Sequence, residues 1–178
     1  MMSRTMTDAP IPRRVDGKKL VDINQQLTGI IDSAKLTRLA AATTHVYTPV
    51  QCHVEFFRDP ERFLILSGNC SVKVGMECQR CLNEVQADIR SEFELGLVLN
   101  DEQAKKLPRR LEPIELSEEG RLELWEAIED EILLCLPDFP MHGDGECTAF
   151  NVNPEKDNSA EELKRPNPFE VLAQLKQK

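Results

Sequence analysis

The stretch Val85-Gln-Ala-Asp-Ile-Arg-Ser-Glu-Phe-Glu-Leu-Gly-Leu-Val-Leu99 decides the fold class, because its polarity alternates with a period of two. Apolar side chains occupy one parity from Val85 to Leu99, interrupted only by Ser91, and polar side chains occupy the other parity from Gln86 to Glu94. Successive side chains of a β-strand point to opposite faces of a sheet. The pattern therefore predicts one long strand with a buried face and a face in water.

Three further strands are predicted before this stretch, at Cys52–Phe57, Phe63–Leu66 and Cys70–Val74. Asp59-Pro60 and Ser67-Gly68-Asn69 separate them, and both have the composition of turns. Strands that are joined by such short connections pair in an antiparallel manner. We therefore expect these segments and the long strand to form one antiparallel meander.

One main helix is predicted at Leu122–Leu136, where Trp125, Ile128 and Ile132 follow one another at spacings of three and four residues. That spacing puts their side chains on one face of a helix, and Pro137 ends it. The predicted fold class is therefore α+β. We expect an antiparallel β-sheet meander of about four to six strands, packed by one main helix.

The chain of 178 residues has the length of a single domain. Residues 1–20 contain prolines, a glycine and several basic side chains, and are interpreted as an irregular basic N-terminal arm. Residues 21–150 are the predicted α+β domain. Residues 151–178 are interpreted as a polar linker and a short helix, so we expect a flexible acidic C-terminal region that ends in a helix at Pro168–Lys176.

The net charge of the chain is −9, from 31 acidic and 22 basic residues. Because binding to nucleic-acid phosphates depends on cations, this surplus of acid argues against non-specific RNA binding and favours basic protein partners. The sequence contains no apolar run long enough to span a membrane and no signal peptide at its start. We therefore expect a cytoplasmic protein without a membrane partner.

The acidic side chains of the predicted helix are candidate contacts for a basic partner protein, because complementary charge speeds and directs association. The alternative is a solvated helix face, which the sequence leaves open. The candidate residues are Glu123, Glu126, Glu129, Asp130 and Glu131.

A basic group in the predicted polar loop Asp101–Arg110 is the candidate contact for RNA. Four cations can neutralise a few phosphates, and such binding would depend on salt and not on base sequence. The alternative is again a solvated loop. The candidate residues are Lys105, Lys106, Arg109 and Arg110.

The motif Cys78-Gln-Arg-Cys81, between two predicted strands, is a candidate metal knuckle. Two thiolates at that spacing can bind one Zn²⁺ from a tight turn, and His142 with Cys147 would complete a set of four ligands. Two alternatives remain open. The cysteines can be reduced side chains that pack as small hydrophobic groups, or they can form a redox-active pair.

The sequence contains no glycine-rich phosphate loop, nucleophile elbow or H-E-x-x-H motif. We therefore expect a protein without enzymatic activity, catalytic residues or a small-molecule substrate. The alternative function is a zinc-binding or thiol-active enzyme, or a redox protein, that uses Cys78 and Cys81.

Three segments carry a resemblance to a known family: Glu77-Cys-Gln-Arg-Cys-Leu82, then Asp130-Glu-Ile-Leu-Leu-Cys-Leu-Pro137 with Phe139-Pro-Met-His142, and finally Arg165-Pro-Asn-Pro-Phe-Glu-Val-Leu-Ala-Gln-Leu-Lys176. Together with Cys147 and in this order, they resemble the bacterial large ribosomal RNA subunit accumulation protein family YceD. The resemblance extends from about residue 45 to the end of the chain.

This resemblance implies a non-enzymatic role in the synthesis, processing or stability of 23S ribosomal RNA, and hence in assembly of the large ribosomal subunit. It implies a ribosomal protein or an assembly factor as the partner, with pre-23S rRNA as a second candidate. The residues that the family shares fall here on Cys78, Cys81, Glu129, Asp130, Glu131, Pro137, His142, Cys147, Pro166, Asn167, Pro168 and Phe169.

Overall fold

The computed structural model describes residues 9–147, and the predicted C-terminal linker and helix lie outside them. The strands are β1 (Arg14–Asp16), β2 (Gln26–Ile31), β3 (His45–Val46), β4 (Val50–Arg58), β5 (Leu64–Glu77), β6 (Glu84–Val98), β7 (Glu112–Glu115) and β8 (Arg121–Glu123). The helices are α1 (Gly17–Asp22), α2 (Thr37–Ala42), α3 (Asp101–Ala104) and α4 (Leu124–Leu134), with a 3-10 turn at Ser33–Lys35. The predicted α+β class is confirmed.

The main sheet has the strand order β2-β4-β5-β6-β7, and β3 pairs with β5 beside this path. The pairs β2–β4, β4–β5 and β5–β6 are antiparallel, as the meander predicts. The pair β6–β7 is parallel, which the sequence prediction did not contain. The connection through α3 carries the chain back along β6, and a strand that follows such a return runs in the same direction as the first.

The long strand β6 has the predicted alternation. Its residues Ile89, Ser91, Phe93 and Leu95 are buried, and the residues between them are exposed. Helix α4 packs on β5 and β6, and α2 packs on α4, so the core lies between the inner face of the sheet and these helices. The sheet and α4 therefore fix the position of the β5–β6 connection and of the chain that follows α4.

The turn predicted at Ser67-Gly68-Asn69 is wrong, because β5 runs without a break through these residues. Gly68 has a different role there. A Cβ atom at Gly68 would lie 2.8 Å from the His53 carbonyl oxygen and 2.9 Å from Cζ of Phe93. A glycine inside a strand often marks such a close approach of neighbouring atoms, and not a chain reversal.

The interpretation of the N-terminal arm is also corrected for the part that the structure describes. Strand β1 pairs with β8 in an antiparallel manner. Asp16 caps α1, because its side chain accepts the N–H of Lys19 at 2.9 Å. Ile11 is only 3 % exposed, and its N–H donates to the carbonyl of Ile30 at 3.0 Å. Residues 9–20 therefore belong to the folded domain.

The predicted main helix is confirmed as α4, although it begins at Leu124 and ends at Leu134. Ile128 and Ile132 are fully buried, as the spacing predicts. Trp125 is half-buried, and its indole N–H donates to the carbonyl of Ile11 at 2.9 Å. The predicted loop Asp101–Arg110 contains one helical turn, α3. Within residues 9–147, no helix has the length and apolar character needed to cross a membrane.

Candidate metal centre

Cys78 and Cys81 lie in the tight connection between β5 and β6. The N–H of Cys78 donates to the carbonyl of Asn83 at 2.9 Å, and the N–H of Leu82 donates to the carbonyl of Cys78 at 2.8 Å. Leu82 has a φ of 59°, in the left-handed region where glycine is the usual residue. These contacts turn the chain so that both thiol groups face inward, and each cysteine is almost fully buried.

The chain after α4 returns to this knuckle. The N–H of Gln79 donates to the carbonyl of Pro140 at 2.9 Å. The guanidinium group of Arg80 donates to the carbonyls of His142 and Gly143, at 3.3 and 3.4 Å. Because α4 ends beside the sheet, the segment that follows it needs no long crossover to bring His142 and Cys147 to the two cysteines.

The four residues predicted as metal ligands form one cluster. Their ligand atoms all lie within 4.8 Å of one another. The Sγ atoms of Cys78 and Cys147 are 3.5 Å apart, Sγ of Cys81 lies 3.4 Å from Nδ1 of His142, and Sγ of Cys147 lies 3.6 Å from the same Nδ1. In residues 9–147, no second group of three or more such residues comes this close together.

The ring of His142 is held in a defined tautomer. Its Nε2 lies 3.0 Å from the carbonyl oxygen of Glu84, which can only accept a hydrogen bond, so Nε2 carries the proton. In the neutral ring, Nδ1 then presents its lone pair to the sulfur atoms. This is the arrangement in which a histidine serves as a metal ligand while its other nitrogen is fixed by a backbone carbonyl.

The pKa values of three cluster residues are shifted, and not in the same sense: that of Cys81 is raised, which favours its neutral thiol, whereas those of Cys78 and His142 move towards the charged forms. Burial alone would raise the pKa of the Cys78 thiol, but N–H groups of Arg80 and Cys81 and the contact with His142 lower the pKa to about 5. The pKa of His142 is raised, first by its contact with Cys78 and then by that with Cys147. Independently of these shifts, the geometry brings three sulfur atoms and one imidazole together, a candidate ligand set for a cation.

The other three cysteines, Cys52, Cys70 and Cys135, lie outside the cluster. Cys135 is exposed at the end of α4 and takes no part in the cluster. Cys52 and Cys70 lie opposite each other on β4 and β5 and are buried in the core. Contact with Cys70, together with burial, raises the pKa of Cys52, so the Cys52 thiol stays protonated and packs as a small hydrophobic group.

Comparison with known proteins assigns the family. The sequence profile of the family described as large ribosomal RNA subunit accumulation protein YceD matches residues 66–176, more than half of the chain. The chain belongs to the YceD family. A curated relative of that name from Haemophilus influenzae is 36 % identical over 179 residues, which cover 97 % of this chain and 100 % of the relative. No solved structure matches the chain.

All four residues of the cluster lie within the region that matches the YceD profile. So do the acidic residues predicted as partner contacts, and one of these is corrected by the structure. Glu129 is buried, and its carboxylate accepts the N–H groups of Arg38 and Leu39 at 2.9 Å each. It also pairs with the guanidinium of Arg38 at 3.1 Å. Glu129 is therefore a structural residue and is not available to a partner.

Of the other predicted acidic residues, Glu126 and Asp130 are exposed, whereas Glu123 and Glu131 are half-buried. Glu123 pairs with Arg14, Glu126 pairs with Arg13 at 3.6 Å, and Asp130 pairs with Arg38. The structure adds three carboxylates that the predicted helix did not contain, because the end of β7 and its connection to β8 lie beside α4. These residues are Glu115, Glu118 and Glu119. Their signal in the sequence is the high density of acidic residues before the helix, from 112 to 120.

Of the four basic residues predicted as RNA contacts, the structure gives one a structural role and leaves three exposed without an ion pair among the residues described. Arg110 pairs with Asp59 at 2.8 Å and with Glu94 at 2.9 Å, and Asp59 is buried. Arg110 is therefore a structural residue within the YceD domain. The other three members, Lys105, Lys106 and Arg109, are exposed.

Proposed function

We propose that this chain supports the accumulation of large-subunit ribosomal RNA as a binding protein without catalytic activity, and that it binds a basic protein segment in an acidic groove. The groove lies between α4 and the β7–β8 connection and has a volume of about 690 Å³. Two arginines, Arg14 and Arg121, line it together with six carboxylates. This surplus of negative charge carries the proposal. The carboxylates are Glu115, Glu118, Glu119, Glu123, Glu126 and Asp130.

The negative charge of the groove is only partly neutralised by the protein itself. Arg14 pairs with Glu123, and Arg121 pairs with Glu119 at 3.1 Å. Glu115 and Glu118 are exposed and make no ion pair with any residue in the described part of the chain. Lysine or arginine side chains of a partner would meet these carboxylates, and the attraction would raise the association rate most strongly at low salt.

The partner that fits the groove is a ribosomal protein or an assembly factor with a basic surface segment. In a bacterium, a factor that acts on large-subunit ribosomal RNA works in the cytoplasm. A second candidate activity is direct contact with pre-23S rRNA through Lys105, Lys106 and Arg109, which are exposed and make no ion pair with the residues described. Three cations would add a weak, salt-dependent and base-independent affinity for RNA.

The cysteine cluster supports a role without catalysis. A catalytic zinc site keeps one position open for water or substrate, whereas structural sites are closed by four protein ligands. Four protein side chains converge here, and both Cys78 and Cys81 are buried. The alternative of a zinc or thiol enzyme, or of a redox protein, would need an open position or an accessible thiolate.

The experiment that tests the proposal is a pull-down with the full chain, with and without nuclease, from cells that lack their own copy. The groove variant carries Glu115→Lys and Glu118→Lys. The matched control carries the same charge change at exposed sites outside the groove, Glu61→Lys and Glu92→Lys. Large-subunit rRNA is measured relative to small-subunit rRNA in cells that express each variant.

We expect wild type and control to retain the basic partner after nuclease treatment and to restore large-subunit rRNA. The groove variant should fail in both measurements. Full retention and full restoration by the groove variant would contradict the proposal. Loss of the partner from the wild type on nuclease treatment would instead favour the RNA contact.

A further inference from the structure

We propose that Cys78, Cys81, His142 and Cys147 bind one Zn²⁺ in a closed tetrahedral site, and that this ion fixes the segment 137–147 on the β5–β6 connection as a local structural staple. The inference concerns a site distinct from the acidic groove, because none of the four residues lines that groove. Failure of the groove proposal would therefore leave this one standing, and the reverse also holds.

Three of the six separations between ligand atoms lie close to those that a zinc ion imposes, and the other three are no longer than 4.8 Å. With Zn–S bonds of about 2.3 Å and a Zn–N bond of about 2.0–2.1 Å, a tetrahedron has S···S edges of about 3.8 Å and S···N edges of about 3.6 Å. The observed separations are 3.5 Å for Cys78–Cys147, and 3.4 and 3.6 Å for the two sulfur–nitrogen pairs with His142. An ion at the centre needs only small side-chain movements.

The types of ligand select the metal. Three thiolates and one imidazole are soft or borderline donors, which suit Zn²⁺ and not Mg²⁺ or Ca²⁺, since these bind oxygen ligands. The cluster contains no carboxylate. Its four donors come from the chain itself, so the tetrahedron has no open position.

The backbone around the site is arranged to support an ion. The carbonyl of Glu84 fixes the tautomer of His142 so that Nδ1 faces the sulfur atoms. Leu82 adopts a left-handed conformation, with φ at 59°, although its side chain is 58 % exposed and gains little from packing. Such a conformation persists in a non-glycine residue when the surroundings hold it in place, and a metal ion bound next to Leu82 would do so.

The segment that carries His142 and Cys147 has little else to hold it. It contains no helix or strand, and its apolar side chains Phe139 and Met141 are 73 % and 56 % exposed. Pro140 is its one buried apolar residue, and it is hydrogen-bonded to Gln79, Arg80 and Glu84. Hydrophobic burial therefore anchors the segment only weakly. The core of the sheet, in contrast, is built without this segment. We infer that removal of the ion releases the segment and leaves the sheet folded.

The first experiment measures zinc in the full chain, purified under reducing conditions, by mass spectrometry of the metal and by competition with a chromophoric chelator. We expect about one Zn²⁺ per chain. Loss of a residue that only hydrogen-bonds to a metal ligand typically weakens metal binding roughly 10–100-fold. Cys147→Ser and His142→Ala each remove a ligand itself, and should weaken Zn²⁺ binding by more than that. His142→Cys, which restores four ligands, should retain zinc.

Cys135→Ser is the matched control, because Cys135 is exposed and lies outside the cluster. It should bind zinc as the wild type does. If Cys147→Ser fails to fold, Co²⁺ titration of the wild type replaces it, since tetrahedral thiolate coordination gives Co²⁺ intense visible absorption. A reduced wild type that takes up neither metal, or variants at Cys147 and His142 that bind as tightly as the wild type, would overturn the site.

A second experiment tests the local role of the ion by hydrogen exchange before and after chelation. We expect faster exchange in peptides that cover residues 76–86 and 136–147, with the exchange of β6 residues 88–97 unchanged. Unchanged exchange around the knuckle, or loss of protection throughout the sheet, would overturn the assignment of a local staple.

Discussion

A single buried carboxylate, Glu129, links α4 to α2. The first turn of a helix has N–H groups without partners inside the helix. In α2 the residue before the helix is Leu36, whose side chain cannot cap these groups. Glu129 accepts the N–H groups of Arg38 and Leu39 instead, and its remaining oxygen pairs with the Arg38 guanidinium. A side chain distant in sequence thus replaces a local capping residue.

We therefore expect Glu129→Ala to destabilise the domain by about 3 kcal/mol, because it leaves the N–H groups of Arg38 and Leu39 without their acceptor. The change is measured as the free energy of unfolding in urea. Glu126→Ala is the control, since Glu126 is exposed and its ion pair with Arg13 lies at the surface. It should change the stability by less than about 0.5 kcal/mol. Equal effects of both substitutions would contradict the capping role.

Helix α4 contains a carboxylate, Glu131, whose negative charge lowers the stability of the folded state. Glu131 is partly buried beside two other carboxylates, and burial, followed by the charges of Glu112 and Asp130, raises its pKa above the ordinary value of 4.5. A carboxyl group whose pKa is higher in the folded state holds its proton more tightly there. Its ionised form therefore costs stability at neutral pH, and this cost disappears as the pH falls below the ordinary value.

We expect Glu131→Gln to raise the melting temperature at neutral pH. The gain should shrink as the pH falls and vanish well below pH 4.5, where the wild-type carboxyl group is protonated in both states. Thermal unfolding at the two pH values checks this. Glu126→Gln, on the exposed face of the same helix, should show no such pH-dependent gain. A gain for Glu131→Gln that is equal at both pH values would show that charge is not its cause.

On the scale of the whole molecule, the N-terminal part of the described chain packs against elements that are distant from it in sequence. Strand β1 pairs with β8, and the segment before it packs against α4 and β2. Arg13 and Arg14 extend from this segment to Glu123 and Glu126. The N-terminal segment thus contributes buried apolar area to the core as well as cations to the rim of the acidic groove.

The buried apolar side chain of the N-terminal segment should contribute more to the free energy of unfolding than its surface ion pairs do. Ile11→Ala removes a side chain that is 3 % exposed and should cost about 3 kcal/mol. The double change Arg13→Gln and Arg14→Gln removes surface ion pairs, and should cost less than about 1 kcal/mol. Unfolding in urea, followed by the fluorescence of Trp125, measures both. A loss from the arginine pair as large as that from Ile11 would mean that charge, and not burial, attaches the N-terminal segment.

The sequence by itself determined the elements whose side chains follow a regular period. Strand β6 and helix α4 are predicted by alternation and by the spacing of Ile128 and Ile132, because burial of one face imposes that period on the residues. The four residues of the candidate metal centre were also predicted, since a C-x2-C knuckle requires two further soft ligands and the chain offers few.

The tertiary structure alone decided how distant residues share their contacts. Glycine is a residue type that is common in turns, and the sequence therefore suggests a turn at Gly68. Only the close approach of Phe93 and the β4 backbone shows why the strand needs a glycine there. From the sequence alone, Glu129 and Arg110 cannot be distinguished from solvated charges. The sequence does not reveal the N–H groups that Glu129 accepts or the buried carboxylate that Arg110 pairs with. The parallel strand β7 and the pairing of β1 with β8 depend on where the chain returns in space, and no local periodicity encodes that return.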